Sequence, residues 1–479
     1  MQLSVATPPK FIKTTRSRCP VCLEEIAAEI VETRGSVWMR KSCPQHGEFE
    51  VKLANDPRFY HLATGASGDA CCSAGGGCCA PAPSSAATVQ GRLANNESAR
   101  QSDKTNEFTR DPITSPFETL STCVALIEIV DSCNLPCPTC YAASPLGEKG
   151  EVDCISFENF KQRVGGVLER KGYIDILQLS GGEPTLHPQF FELLDWALAQ
   201  KTVGYVLINT NAVRLATDDA FLQQLAAMRT KNSFELYVQF DGPQEAGQRE
   251  LRGADLRAIR EKAIDAAGAL GIPTSLAMVV TPTTIAHLGD ALRFGLSRPH
   301  VRGISFQPMF TTGRAPESLG ALRQLAIPPR PISVGDVIRN AAAQSQGILR
   351  DEDFTPLPCG DPNCHTISYI LRTPTGPLAL GKLIDLKSVQ GFLENRLDYR
   401  IEDLAECGCE SEPLGAIIKQ FELRPEDPFR IFIKPFMDAW TFDQDRIDRC
   451  CTHVIRRDGK LDSFCRYYLH GGAAGLSRA

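Results

Sequence analysis

From about residue 120 the apolar residues come in short, dense runs: VALIEIV (124–130), IDILQLS (174–180), YVLINTN (205–211), ELYVQFD (235–241), TSLAMVV (274–280) and GISFQPM (303–309). Between them lie stretches with helical spacing, among them FENFKQRVGGVLERK, FFELLDWALAQ and LRAIREKAIDAAGAL. Strand and helix alternating at roughly 30-residue intervals predict right-handed βαβ units and a parallel sheet buried on both faces. An open doubly wound sheet and a partly closed barrel both answer to that pattern. Polar and reactive residues follow the ends of several strands, which is where (β/α) barrels collect their chemistry. The predicted fold class is therefore α/β, a partial (β/α)6 TIM-type barrel, flanked by a Cys-rich N-terminal head and an irregular, Cys-rich C-terminal region.

Outside the core the patterning changes. Residues 1–60 read as a compact head, with a hairpin, AEIVETRGSVWMRK, lying between cysteines. Residues 61–115 are dominated by Gly, Ala, Ser and Pro and then by the polar stretch NNESARQSDKTNE. Such a segment has too little apolar surface to offset its ordering entropy and is expected to be a flexible linker. The barrel core is expected over 116–325. Residues 326–479 carry helical text near 333–345, a turn TPLPCGDPNCH and a Cys-rich end, with no period that fixes a topology.

Composition narrows the function classes. With 43% hydrophobic and 23% charged residues, the chain is ordinary globular protein rather than a coiled coil or a disordered tail. Its 51 Lys and Arg against 57 Asp and Glu give no basic excess for a nucleic-acid partner. No apolar run reaches the roughly 18 residues of a membrane span, and the start MQLSVATPPKFIKTTRSR has no apolar segment before Cys19, so a cytoplasmic, soluble protein is expected. The departure is cysteine, with 19 in the chain. In a reducing compartment, thiols clustered at short spacing are metal ligands or reactive groups more often than disulfides. Cys123 and Cys154 stand alone and read as small buried apolar residues.

After the first strand comes DSCNLPCPTCYAAS, with Cys133, Cys137 and Cys140 as CxxxCxxC. Three thiolates ligate three irons of a 4Fe-4S cube and leave the fourth iron open to a substrate. A structural zinc site would need a fourth ligand, and the nearest following His is His187. This loop resembles that of the radical S-adenosylmethionine (SAM) superfamily over about residues 120–310. The resemblance implies that the open iron chelates the amino and carboxylate groups of SAM, and that one electron then splits a sulfonium carbon–sulfur bond to release a carbon radical. It further implies that Tyr141 packs near the adenine and that Gly181, Gly182 and Glu183, in the SGGEP turn after the second strand, meet the SAM ammonium. Asn209, Gln239 and Asp241, at later strand ends, are candidates for ribose or carboxylate contacts, and Arg252 is a further candidate for the carboxylate.

The head reads CPVC, then CPQHG, with Cys19, Cys22, Cys43 and His46 spaced like the ligands of a zinc ribbon or rubredoxin-like site for iron or zinc. After the barrel, Cys359, Cys364, Cys450, Cys451 and Cys465 could complete an auxiliary 4Fe-4S cluster, with Cys407 and Cys409 as further candidates. This layout is similar to a multicluster radical SAM group that includes tetraether-lipid synthases. The Arg-Cys-Cys-Thr-His tail also resembles radical SAM enzymes of arsinothricin biosynthesis. That likeness implies transfer of the 3-amino-3-carboxypropyl group of SAM to arsenite presented by Cys450 and Cys451, with Cys71/Cys72 and Cys78/Cys79 able to collect the ion. The alternative is carbon–carbon bond formation or methylation on an unactivated carbon, as in tetraether-lipid or pterin-modifying relatives. Either chemistry implies a reductase or flavodoxin-type electron donor.

Overall fold

The computed structural model describes residues 8–61, 117, 122–147, 152–229, 234–314, 331–357, 360–385, 421, 424 and 426–472. Almost all of the expected linker, with its four cysteines, lies outside the described residues, as do Cys359, Cys407 and Cys409.

The head is an antiparallel meander of β1 (Lys10–Arg18), β2 (Glu25–Thr33), β3 (Ser36–Cys43) and β4 (Gly47–Ala54). Burial alternates along β2 and β3, as it must in a sheet with one covered face. Ile30, Val37, Met39 and Val51 fill that face together with Trp440 from the far end of the chain. The buried ammonium of Lys41 crosses the junction, donating to the Arg18 and Trp440 carbonyls at 3.0 and 2.8 Å and also to the Ala439 carbonyl. Beside it, Lys13 meets Asp443 and Asp445 at 2.8 and 2.9 Å. The head is thereby docked on the C-terminal segment by charge-assisted bonds as well as by apolar contact.

The core follows the alternation in the sequence. β5 (Val124–Val130), β6 (Ile174–Gly181), β7 (Val203–Thr210), β8 (Phe234–Gln239), β9 (Thr274–Val280) and β10 (Val301–Pro308) lie side by side in chain order, all parallel. Helices Phe157–Lys171, Phe190–Ala199, Asp219–Met228, Arg257–Ala269 and Leu288–Leu296 return the chain between strands. Local chemistry sets their ends. Ser156 caps the first by accepting from the Asn159 N–H, and Gly172, left-handed, closes it. β5 is buried along its whole length, the signature of a parallel strand covered on both faces.

The C-terminal region is not irregular, as the sequence had suggested; it borders this sheet on both sides. Pro428–Ile433 lies parallel to β10 and pairs antiparallel with Thr366–Thr373, while Thr452–Ile455 runs parallel beside β5 and turns back through Leu461–Ser463. Most of these strands are short, and those that join the sheet do so through partners distant in sequence, Pro428–Ile433 through β10 and Thr452–Ile455 through β5, which leaves little local period to read. Buried acids tie these borders to the core. Glu128 on β5 accepts the hydroxyls of Tyr467 and Tyr468, each at 2.8 Å, and Glu235 on β8 gathers Tyr205 at 2.9 Å, Arg430 at 3.0 Å and Ser275. No helix among the described residues is long and apolar enough to cross a membrane.

Replacing Lys41 with Met would strand buried carbonyls on both sides of the head junction, an expected loss of about 2–3 kcal/mol. Urea unfolding followed through tryptophan emission should show the lower midpoint; an unchanged midpoint would mean that docking does not run through this ammonium.

Candidate active site

The ends of β5 and β6 meet by direct backbone contact. The Gly182 N–H donates to Val130 O at 2.7 Å and the Glu183 N–H to Ser132 O at 3.0 Å. A Cβ on Gly181 would collide with Val130 O, and one on Gly182 with Ser132 O; Gly181 also has φ +119°, which L side chains rarely adopt. The two glycines thus let the GGE turn seat against the root of the cysteine loop. The loop itself is laced from the opposite side by Arg314, just past β10. Its guanidinium donates to the carbonyls of Cys137 at 2.7 Å and Ser144 at 3.1 Å, and its backbone exchanges two 2.8 Å bonds with Cys140.

Glu183 is buried, and its carboxylate is already engaged. It accepts from Thr185 Oγ1 at 2.7 Å, Thr210 Oγ1 at 2.8 Å and the Asn211 N–H at 2.7 Å. Burial raises its pKa, opposed by these donors. Its structural work is to join the GGE turn to the end of β7. Asn211 continues the chain of contacts, donating to Asn134 Oδ1 at 2.6 Å with Cys133 Sγ 3.8 Å away. Asn209, by contrast, bonds to Ser180 at 2.9 Å and Gln178 at 2.6 Å.

Asp241 is likewise buried and paired. Arg252 grips it through two bonds of 2.6 and 3.1 Å, Arg260 stands 3.3 Å away, and the Val279 N–H donates at 3.1 Å. Desolvation opposes ionisation, but the two guanidinium groups hold the carboxyl down to about 2. A carboxylate so neutralised is a poor ribose or SAM contact. What it does is aim Arg252, whose guanidinium lies near enough to Cys137 for their charges to interact. Gln239 bonds Asp241 at 2.8 Å and belongs to the same knot.

Tyr141 turns inward, its hydroxyl 3.4 Å from Ser180 Oγ and its ring in a nest of Phe310, Phe464 and Tyr468. Cys133 is pushed up to about 12, by burial first and then by the negative charge of Glu183 and the other two cysteines. A thiol held this way needs a cation to ionise it, which the irons of a 4Fe-4S cluster would supply.

The tail cysteines converge as well. Cys450 feels the charges of Cys364, Cys451 and Cys465; burial raises Cys364, and Cys465 to about 12. The Cys364 turn is pinned to the tail by the Arg449–Asp361 ion pair at 2.5 Å. In the head, the ligand atoms of Cys19, Cys22, Cys43 and His46 all lie within 4.8 Å of one another. Cys22 and Cys43 are 3.9 Å apart, and His46 Nδ1 is 3.6 Å from Cys19 and 3.5 Å from Cys43. A tetrahedron with metal–ligand bonds of 2.0–2.3 Å has edges of about 3.3–3.8 Å, so the set fits a mononuclear ion.

Residues 127–295 match the family model of the radical SAM superfamily. The chain is a radical SAM enzyme. As such it works with a 4Fe-4S cluster and SAM. Residues 11–55 match a model described as an HMPTM N-terminal zinc ribbon domain. The enzyme is 26% identical to the 7,8-dihydro-6-hydroxymethylpterin dimethyltransferase of Methanocaldococcus jannaschii, over 95% of this chain and 93% of that protein. It is 29% identical to the mycofactocin maturase MftC of Mycobacterium ulcerans over 37% of this chain and 47% of MftC. Streptococcus suis SuiB bound to SAM has a TM-score of 0.34 at 16% identity, over 43% of this chain and 47% of SuiB.

The sequence reading missed Arg314 and the aromatic nest. The available signal was the TTGR segment at the end of β10, since the other strand ends carry chemistry; the nest, drawn from three distant segments, left none. Replacing Gly182 with Ala should force the GGE turn off Ser132 and lower both iron content and SAM affinity, with the head metal retained. Full iron and unchanged affinity would show that the close approach is dispensable.

Proposed function

We propose that this enzyme replaces a carbon–hydrogen bond of a reduced pterin, or a like fused heteroaromatic, with a carbon–carbon bond, methylation being the leading case. In this reading Cys133, Cys137 and Cys140 hold the SAM cluster. Cys364, Cys450, Cys451 and Cys465, with Cys359, supply the ligands of an auxiliary cluster, and Cys19, Cys22, Cys43 and His46 hold a mononuclear zinc or iron. The observation that carries the reading is the likeness to the pterin dimethyltransferase from end to end, head included; the mycofactocin maturases match only over 37% of the chain. When bound, cluster and SAM supply a carbon-centred radical by one-electron cleavage.

The protein's own groups do the rest. The GGE turn, braced by Glu183, offers backbone to SAM, and Arg252, held by Asp241, stands beside Cys137 as a fixed positive charge for the SAM carboxylate. Gly181, Gly182, Asn209 and Gln239 shape the same wall, and Tyr141 bounds it. With SAM as methyl donor the change balances: substrate, two SAM and two electrons from a flavodoxin-type donor give methylated product, 5′-deoxyadenosine, methionine and S-adenosylhomocysteine.

Transfer of the aminocarboxypropyl group to arsenite, and the tetraether-lipid chemistry, draw no support from these relatives. Cys450 and Cys451 keep the company of Cys364 and Cys465, which favours cluster ligation over presentation of a substrate ion. Anaerobic reconstitution with SAM, dithionite and a 7,8-dihydropterin, followed by mass spectrometry, tests the reading. The expected products are 5′-deoxyadenosine, formed faster when the dihydropterin is present, and a methylated pterin. 5′-Methylthioadenosine, with an organoarsenical formed from arsenite, would overturn it.

A further inference from the structure

A cleft opens where the head, the end of β10 and the C-terminal segment meet. The head contributes Phe59 and Tyr60, from the short helix that follows β4, and β10 leads into it through Met309 and Phe310. The third wall is Phe436 with Arg446, and Asn363 stands beside them. One side reaches the three-cysteine loop, because the Phe310 ring stacks on Tyr141, the residue after Cys140, at 6.4 Å and 24°. Phe436 lies next to Phe310, its ring centroid 5.2 Å away and its plane tilted by 48°. The other side reaches the tail cysteines, because Asn363 precedes Cys364 and the charge of Arg446 interacts with Cys364. The cleft therefore lies between the two clusters of thiols that the mechanism needs, with the head as its outer wall.

Its polar groups discriminate among ligands. The carboxylates on the wall are engaged: Asp438 by Thr311 and Trp440, and Asp443 by Lys13 and Thr15. Besides Lys52, whose ammonium lies over the Trp38 ring, two wall groups keep unused capacity among the described residues: the Asn363 side-chain amide, whose residue is bonded to Asp361 through its backbone N–H, and Arg446 Nε, buried without a partner. A primary amide presents a donor and an acceptor side by side, the complement of a lactam N–H and C=O, and Nε–H adds a donor for a carbonyl. Aromatic faces suit a flat ring, and the two carboxylates of the wall are balanced by Lys52 and Arg446, so the lining carries no net formal charge to favour an ionic ligand.

We infer that this cleft is the substrate site and that it takes a neutral planar aromatic lactam, packed against Phe59, Phe310 and Phe436 and read at its edge by Asn363 and Arg446. The inference rests on the pterin reading above and extends it: the metal-binding head is a wall of the substrate site rather than a separate module.

The test is calorimetric titration of fully metallated full-length enzyme with 6-hydroxymethylpterin, lumazine and guanine. Asn363→Leu should weaken lactam binding at least about tenfold and Phe59→Leu about threefold or more, with SAM affinity and iron and zinc content unchanged. If Asn363→Leu does not take up metal, Asn363→Asp serves, since it keeps the shape and loses the donor. Lactam binding that neither variant alters overturns the cleft and leaves the pterin reading standing. Binding of lumazine or guanine through Asn363, with pterin excluded, supports the cleft and overturns the pterin reading. No binding of any of the three overturns the inference.

Discussion

The contact on which the site depends is the approach of Gly181 and Gly182 to the backbone of Val130 and Ser132. Parallel strands deliver their loops to one end of the sheet, but adjacent strands do not by themselves make adjacent loops touch. Here two missing side chains allow two backbone hydrogen bonds where any Cβ would collide. The cysteine loop takes its position from that seam, and Arg314 closes it from β10, the last strand of the parallel set. Three strand ends are thereby locked around one space.

Buried carboxylates then fix that space. Glu183 and Asp241 stand at strand ends where a sequence reader looks for ligands, yet both are occupied by protein donors. Removing either would leave several buried donors, or two buried guanidinium groups, without a partner, which is far more destabilising than losing an exposed pair. Their value to the site is indirect. Glu183 keeps Asn211 beside Cys133, and Asp241 keeps Arg252 beside Cys137. Glu128 acts likewise at the other border, holding the tail helix Phe464–Leu469, whose Phe464 and Tyr468 rings complete the nest around Tyr141. Head, parallel sheet and tail are thus coupled through a few polar contacts that only the folded chain brings together.

Much of the parallel sheet was legible. β5, β6 and β9 begin at the residues the apolar runs mark, because strands buried on both faces write themselves as continuous apolar text. β8 stops at Gln239 rather than Asp241, because Asp241 takes φ +58° to reach its arginines, a requirement of tertiary pairing that no local pattern carries. The C-terminal strands were invisible for a related reason: Thr452–Ile455 is four residues long, too short for a period, and takes its place in the sheet from β5 on one side and Leu461–Ser463 on the other. At the site, CxxxCxxC and GGE announce their chemistry by spacing alone. The partners of Glu183 and Asp241 do not, since hydrogen-bond donors from a neighbouring strand or helix have no fixed offset in sequence.

The central claim is that one chain assembles an open cluster at the ends of the parallel strands, a second cluster in the tail and a single-ion site in the head around one reaction space. Mössbauer and EPR spectra of the anaerobically purified full-length enzyme, with metal analysis before and after SAM is added, test it most directly. The account predicts about eight irons in two 4Fe-4S clusters and one further tetrahedral ion, with SAM perturbing one cluster and leaving the other unchanged. A single cluster, or two clusters neither of which responds to SAM, would contradict it.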